Sequence, residues 1–140
     1  GKYSGRDYDD WLKIAVWHHP VTGPRAMSDG LLEQLVVEEF RVAMHGHLHR
    51  AVDESFNYGV RGMRIIGAGT FGAPATQQQP GIPLQYNLLT ADPETGMLTV
   101  QTRKKEKPDG AWSADPRWGD KNAPVAWYQI PVKWGAGSQG

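Results

Sequence analysis

The chain has 140 residues, 15 Lys and Arg against 15 Asp and Glu, 39% hydrophobic residues and no cysteine. That length holds one domain with a sizeable apolar core. Balanced charge without a long basic block speaks against a nucleic-acid or anionic-membrane surface. Without cysteine there is no disulfide scaffold, thiolate zinc site or thiol nucleophile. No apolar run approaches the roughly 18–20 residues of a membrane span, and the polar start shows no signal peptide, which together suggest a cytoplasmic protein. All five histidines fall between positions 18 and 49, in two clusters.

Leu12-Lys-Ile-Ala-Val-Trp17 alternates as a strand and runs into His18-His19-Pro20, where proline ends pairing. Thr22-Gly23-Pro24 reads as loop. Ser28 or Asp29 can cap a helix carrying Leu31, Leu32, Leu35 and Val36 and ending near Glu39. Phe40 to Met44 reads as a second strand, leading into His45-Gly46-His47-Leu48-His49-Arg50. Strand, helix, strand makes a βαβ unit with neighbouring parallel strands. Ligands of open α/β sheets bind beyond the carboxyl ends of the strands, so the fold would bring the two histidine clusters together.

Further along, Phe56–Val60, Met63–Ile66, Leu84–Thr90 and Met97–Arg103 read as strands, the last two joined by a turn at Asp92–Gly96. Gly67 to Pro83 is a long Gly/Pro/Gln loop. After Arg103 the composition shifts to charge and then to Trp112, Trp118, Trp127 and Trp134 among Asp, Pro and Gly. The expected organisation is therefore a domain portion over residues 1–103 and a Trp/Pro/Gly-rich tail, 104–140, packed on it. Gly67-Ala-Gly69-Thr-Phe-Gly72 satisfies a dinucleotide-binding spacing, but no helix can follow it.

On an extended segment, His47 and His49 point to the same side and can share a metal or hold two adjacent ones. A histidine at the end of the neighbouring strand can add a further nitrogen. Such a site, built from imidazole and oxygen donors, suits zinc, iron, manganese or nickel. Gly46 allows the backbone to approach it closely.

Val16-Trp17-His18-His19-Pro20 followed by Ala43-Met44-His45-Gly46-His47-Leu48-His49 resembles the last two signature motifs of the calcineurin-like metallophosphoesterases. The resemblance covers about residues 11–103 and implies the carboxyl-terminal part of an α/β/β/α sandwich, a βαβ unit followed by mainly antiparallel strands. It implies His18 and His47 as ligands of one metal and His49 as a ligand of the other. His19 then either stands behind a ligand or faces the substrate, while His45, which has no ligand role in the family, tunes or orients the site together with Gly46. Arg50, and with it Arg25, is a candidate phosphate contact by charge alone. The implied activity is hydrolysis of a phosphomonoester or phosphodiester at two divalent ions (Mn, Fe, Zn, Ni or Mg).

The family's Asp-x-His, Gly-Asp-x-x-Asp and Gly-Asn-His motifs have no counterpart in the chain. Gly119-Asp120-Lys121-Asn122 lacks the second aspartate, and no histidine lies outside positions 18–49. Imidazoles alone cannot neutralise and bridge two cations about 3.5–4 Å apart. The expectation is thus a chain that holds at most one ion weakly, is inactive alone, and needs an amino-terminal half carrying those motifs as its partner. A non-catalytic, metallophosphoesterase-like binding module is the alternative.

Overall fold

The alternation at the start of the chain forms β1 (Ile14–Trp17), shorter by two residues than the pattern suggests. The computed structural model describes residues 8, 10–20, 27–46, 51–72, 76 and 80–132. Thr22–Pro24, residues 73–75 and 77–79 of the Gly67–Pro83 loop, and Trp134 thus fall outside the described residues. The helix α1 (Asp29–Val37) starts at Ser28, whose extended backbone and side chain make it the N-cap, accepting from the Leu31 amide at 3.3 Å. At its other end Glu39 takes a positive φ of 68°. There the Glu39 amide donates to Val36 O and the Phe40 amide to Leu35 O, a Schellman closure that sends the chain into β2 (Val42–His45).

β1 and β2 pair in parallel, Ile14 opposite Val42 through Trp17 opposite His45. This is the expected βαβ unit. β3 (Val52–Tyr58) and β4 (Arg61–Gly67) form a hairpin turned at Gly59, and β4 lies parallel to β2 on its other side. The first sheet therefore runs β1-β2-β4-β3. β5 (Leu84–Asp92) and β6 (Met97–Lys105) form the second hairpin, turned where Asp92 caps the Glu94 amide and Gly96 has φ 69°.

The segment after Arg103 contains strands that periodicity does not reveal: β7 (Ser113–Ala114), β8 (Trp118–Asp120), β9 (Ala123–Val125) and β10 (Trp127–Pro131). Pro124 and Pro131 conceal them, yet both sit in edge positions where a missing amide is tolerated. β10 pairs antiparallel with β6, giving a second sheet β10-β6-β5 with β7 alongside β6. Trp118 packs edge-on against Tyr128 and donates its indole N–H to Thr102 Oγ1 at 2.8 Å.

Alternating side chains of the first sheet feed two cores. Ala43, Met63 and Ile65 meet Leu32 and Val36 of α1. Val42 and Ile66 meet Leu98, Val100, Ile130 and Val132 beneath the second sheet. Each such aliphatic side chain contributes about 1.5–3 kcal/mol of burial. The result is mixed α/β, layered helix, sheet, sheet; three layers of the expected sandwich lie within the described residues. Among these residues no helix is long and apolar enough to cross a membrane.

Candidate functional site

Parallel pairing ends β1 and β2 side by side, so the residues that follow each strand become neighbours. A Cβ placed on Gly46 would lie 3.8 Å from His18 Nδ1, so the His-His-Pro and Gly-His-x-His motifs meet at this edge. The rings of His18 and His19 contact each other edge to face at 5.3 Å. His45, at the end of β2, is 3% exposed. Its ring lies parallel to that of Trp17, 6.5 Å away.

His45 Nδ1 lies 2.9 Å from the Gly46 carbonyl oxygen, which can only accept, so the ring donates from Nδ1. The Nε2 of the same ring is a buried atom without a hydrogen-bond partner among the described residues. Trp17 Nε1 is buried and unpartnered in the same way. A cavity of about 240 Å³ opens here, between the ends of β1 (Val16, Trp17), β2 (His45, Gly46) and β4 (Ala68), with Tyr86 and Asn87 of β5 opposite. The parallel strands thus present the histidines where α/β sheets place ligands.

Of the residues singled out in the sequence, His18, His19, His45 and Gly46 converge. His47, His49, Arg50 and Arg25 lie outside the described residues. Among the described residues, no group of three or more His, Cys, Asp or Glu side chains could hold a metal ion. The imidazoles of His18 and His19 are of a donor type that suits divalent transition metals, and His18 lies beside Gly46. Among the described residues no carboxylate that could bridge two cations is grouped with these histidines.

A polar cluster that the sequence reading missed surrounds Ala51. Gln85 is fully buried. Its Oε1 accepts from the Ala51 amide at 2.9 Å, and its Nε2 donates to Asp115 Oδ2. Arg117 Nε donates to the same carboxylate oxygen at 3.0 Å, while Arg117 Nη1 donates to Ala51 O at 3.3 Å. The one signal in the sequence is a glutamine at a strand position whose neighbours pack inward, and that signal names no partner. Phe71, Tyr86 and Trp112 pack ring against ring, with Lys105 over Trp112, and Tyr86 of this cluster also lines the cavity.

No family model matches the sequence, and no curated protein matches it. Among solved structures, the chain is similar to a single mutant of Vps29 from Entamoeba histolytica. The TM-score is 0.45 at 14% identity, over 71% of this chain and 52% of that one. A double mutant of the same protein gives a TM-score of 0.41 at 14% identity, over 64% and 47% of the two chains. The chain thus spans about half the length of the solved structures it resembles.

Proposed function

We propose that residues 1–140 supply the histidine half of a metal-dependent phosphoesterase site. The observation that carries this reading is the meeting of His18 with Gly46 at the carboxyl ends of β1 and β2. In this reading His18, His47 and His49 hold metal, while His19 and Arg50 face the phosphoester. His45 braces the start of the ligand segment through its stacking on Trp17 and its bond to Gly46. Divalent cations in such a site supply positive charge against phosphate oxygens.

The carboxylates that complete and bridge a two-metal centre come, in this proposal, from polypeptide outside these 140 residues. Two features support that. Val16 and Trp11 are 73% and 64% exposed, an unusual display for large apolar residues on and beside a strand. Trp11 also lines a hollow of about 450 Å³, together with Tyr8, Leu12, Ile14 and Phe40 among others. It holds no histidine, so it is read as a surface for packing and not as the reaction site. β1 is also the terminal strand of its sheet among the described residues, so a further strand could pair there.

The test joins this chain to its upstream sequence and compares the two proteins with manganese. Bound metal is counted, and hydrolysis of p-nitrophenyl phosphate and bis-p-nitrophenyl phosphate is followed. The joined protein should hydrolyse one of these esters and lose that activity on His18→Ala, while the chain alone binds at most one ion and turns over neither. Two metals and activity in the chain alone would overturn the division of the site. A joined protein that binds metal yet cleaves neither ester would favour a non-catalytic binding module.

A further inference from the structure

We infer that the outer face of the second sheet receives helix α1 of a second copy of this chain, so that copies associate head to tail. The inference is independent of the proposed metal site.

Leu98 and Val100 of β6 and Ile130 of β10 are buried against the first sheet, so alternation turns Gln101, Arg103 and Trp127 outward. Register places two rows across that outer face, Leu88, Gln101 and Trp127 in one, Tyr86, Arg103 and Ala114 in the next. Between the rows the partner of β6 changes from β10 to β7. The small side chains of Ala114 and Ala126 leave a hollow of about 270 Å³ there. Leu88 is 49% exposed and Trp127 45%. Exposed Phe71 extends the apolar surface through its contacts with Tyr86 and Trp112. Neither row contains a carboxylate. The Arg103 guanidinium donates to Trp112 O at a long 3.4 Å, and Lys105 lies over the Trp112 ring. Neither cation is paired with an acid among the described residues.

The opposite outer layer has the complementary character. α1 lies on the far side of the first sheet, packed on Ala43, Met63 and Ile65. From Ser28 to Phe40 the chain carries Asp29, Glu33, Glu38 and Glu39 and no Lys or Arg. None of these carboxylates is ion-paired among the described residues. Glu38 and Glu39 follow the last turn of the helix, where its dipole disfavours negative charge and a cation is favourable. Val37, 49% exposed, stands one turn after Glu33 and next to Glu38. A helix of 9 residues is about 13 Å long and three strands span about 10 Å, so α1 can cross both rows. Val37 then lies over the hollow, with the glutamates beside Arg103 and Lys105. Sheet against sheet would set the two cations against their own copies, and helix against helix would do the same to the glutamates. Only helix on sheet joins opposite charges. Because the two faces lie on opposite sides of the molecule, the contact does not close on itself and continues from copy to copy.

Sedimentation velocity of the 140-residue chain, loaded from roughly 1 μM to 1 mM, reads the association. At about 50 mM salt the weight-average mass should rise with concentration past that of a dimer. At about 1 M salt it should return towards the monomer, since charges then act only within about 3 Å. Glu33→Arg with Glu38→Arg reverses the helix face, and Arg103→Glu with Lys105→Glu reverses the sheet face. Circular dichroism and melting temperature report whether each variant is folded. Each alone should stay monomeric, because like charges then meet. Mixed in equal amounts they should associate again, since parent helix meets parent sheet and reversed helix meets reversed sheet. Should the sheet variant fail to fold, Leu88→Glu puts a carboxylate at an exposed position of the same face and should weaken the association of an equal mixture with the helix variant by no more than about threefold relative to the parent, while preventing its own. The inference is overturned if the parent is monomeric at every loading, stops at a dimer or ignores salt. It is equally overturned if a folded single-face variant associates as the parent does, or if the mixture stays monomeric.

Discussion

Tyr128 lies between the sheets with its hydroxyl buried and unpartnered among the described residues. Burial pushes its ionisation above the usual value near 10, the Asp53 carboxylate adds to this, and Arg64 opposes it. A group whose pKa is raised by folding gives stability that is fully present below the unfolded pKa and is lost as pH rises towards the folded one. Tyr128→Phe should therefore be neutral or stabilising by up to about 1 kcal/mol at pH 7, because it removes a buried hydroxyl that nothing satisfies. Between pH 9 and 11 the parent should lose up to about 1 kcal/mol more than the variant, after allowance for solvent around a half-buried ring. Urea midpoints of both proteins across that range check the sign. A second residue-scale expectation concerns Gly69, where the alanine methyl must displace a fully buried Gln85 amide. Gly69→Ala should cost about 1–3 kcal/mol in the same measurement, whereas exposed Gly72, with open space around it, should accept alanine with little change.

At the scale of elements, α1 shows how far the sequence is legible. Ser28 and the Leu32 and Val36 spacing announce the start of the helix and its buried face, and Ser28→Ala should cost about 1 kcal/mol by leaving helix amides without the side-chain cap. The end is harder to read, because the left-handed position that usually carries glycine carries Glu39. Glu39→Gly should stabilise the chain by about 0.5–1 kcal/mol, seen as a higher melting temperature, since glycine occupies that conformation without a Cβ penalty. β1, β5 and β6 are legible because alternation continues for several residues. β7 to β9 are not, since each is only two or three residues long, and β10 ends on Pro131. The histidine edge was legible for a topological reason: a βαβ unit fixes which strand ends meet. The polar cluster around Ala51 was not, because it joins positions 51, 85, 115 and 117, and nothing local in the sequence marks a partner that far away.

For the whole molecule, the segment after Arg103 decides whether the two sheets hold together. It supplies β10, whose Ile130 is fully buried and whose following residue Val132 is 4% exposed, beneath Leu98 and Val100. It also supplies Asp115 and Arg117, without which Gln85 would keep a buried amide with no acceptor for its N–H. Truncating an aliphatic side chain in a core costs about 2–5 kcal/mol, and domains of this size hold only about 5–15 kcal/mol in all. Deletion of residues 104–140 removes two such side chains, one strand of the β10-β6-β5 sheet and the partners of a buried polar cluster. The remaining 103 residues should then fail to unfold cooperatively, with near-ultraviolet circular dichroism lost and a hydrophobic dye bound. A sharp two-state urea transition for residues 1–103 would instead place the stability of the fold in α1 and the first sheet alone.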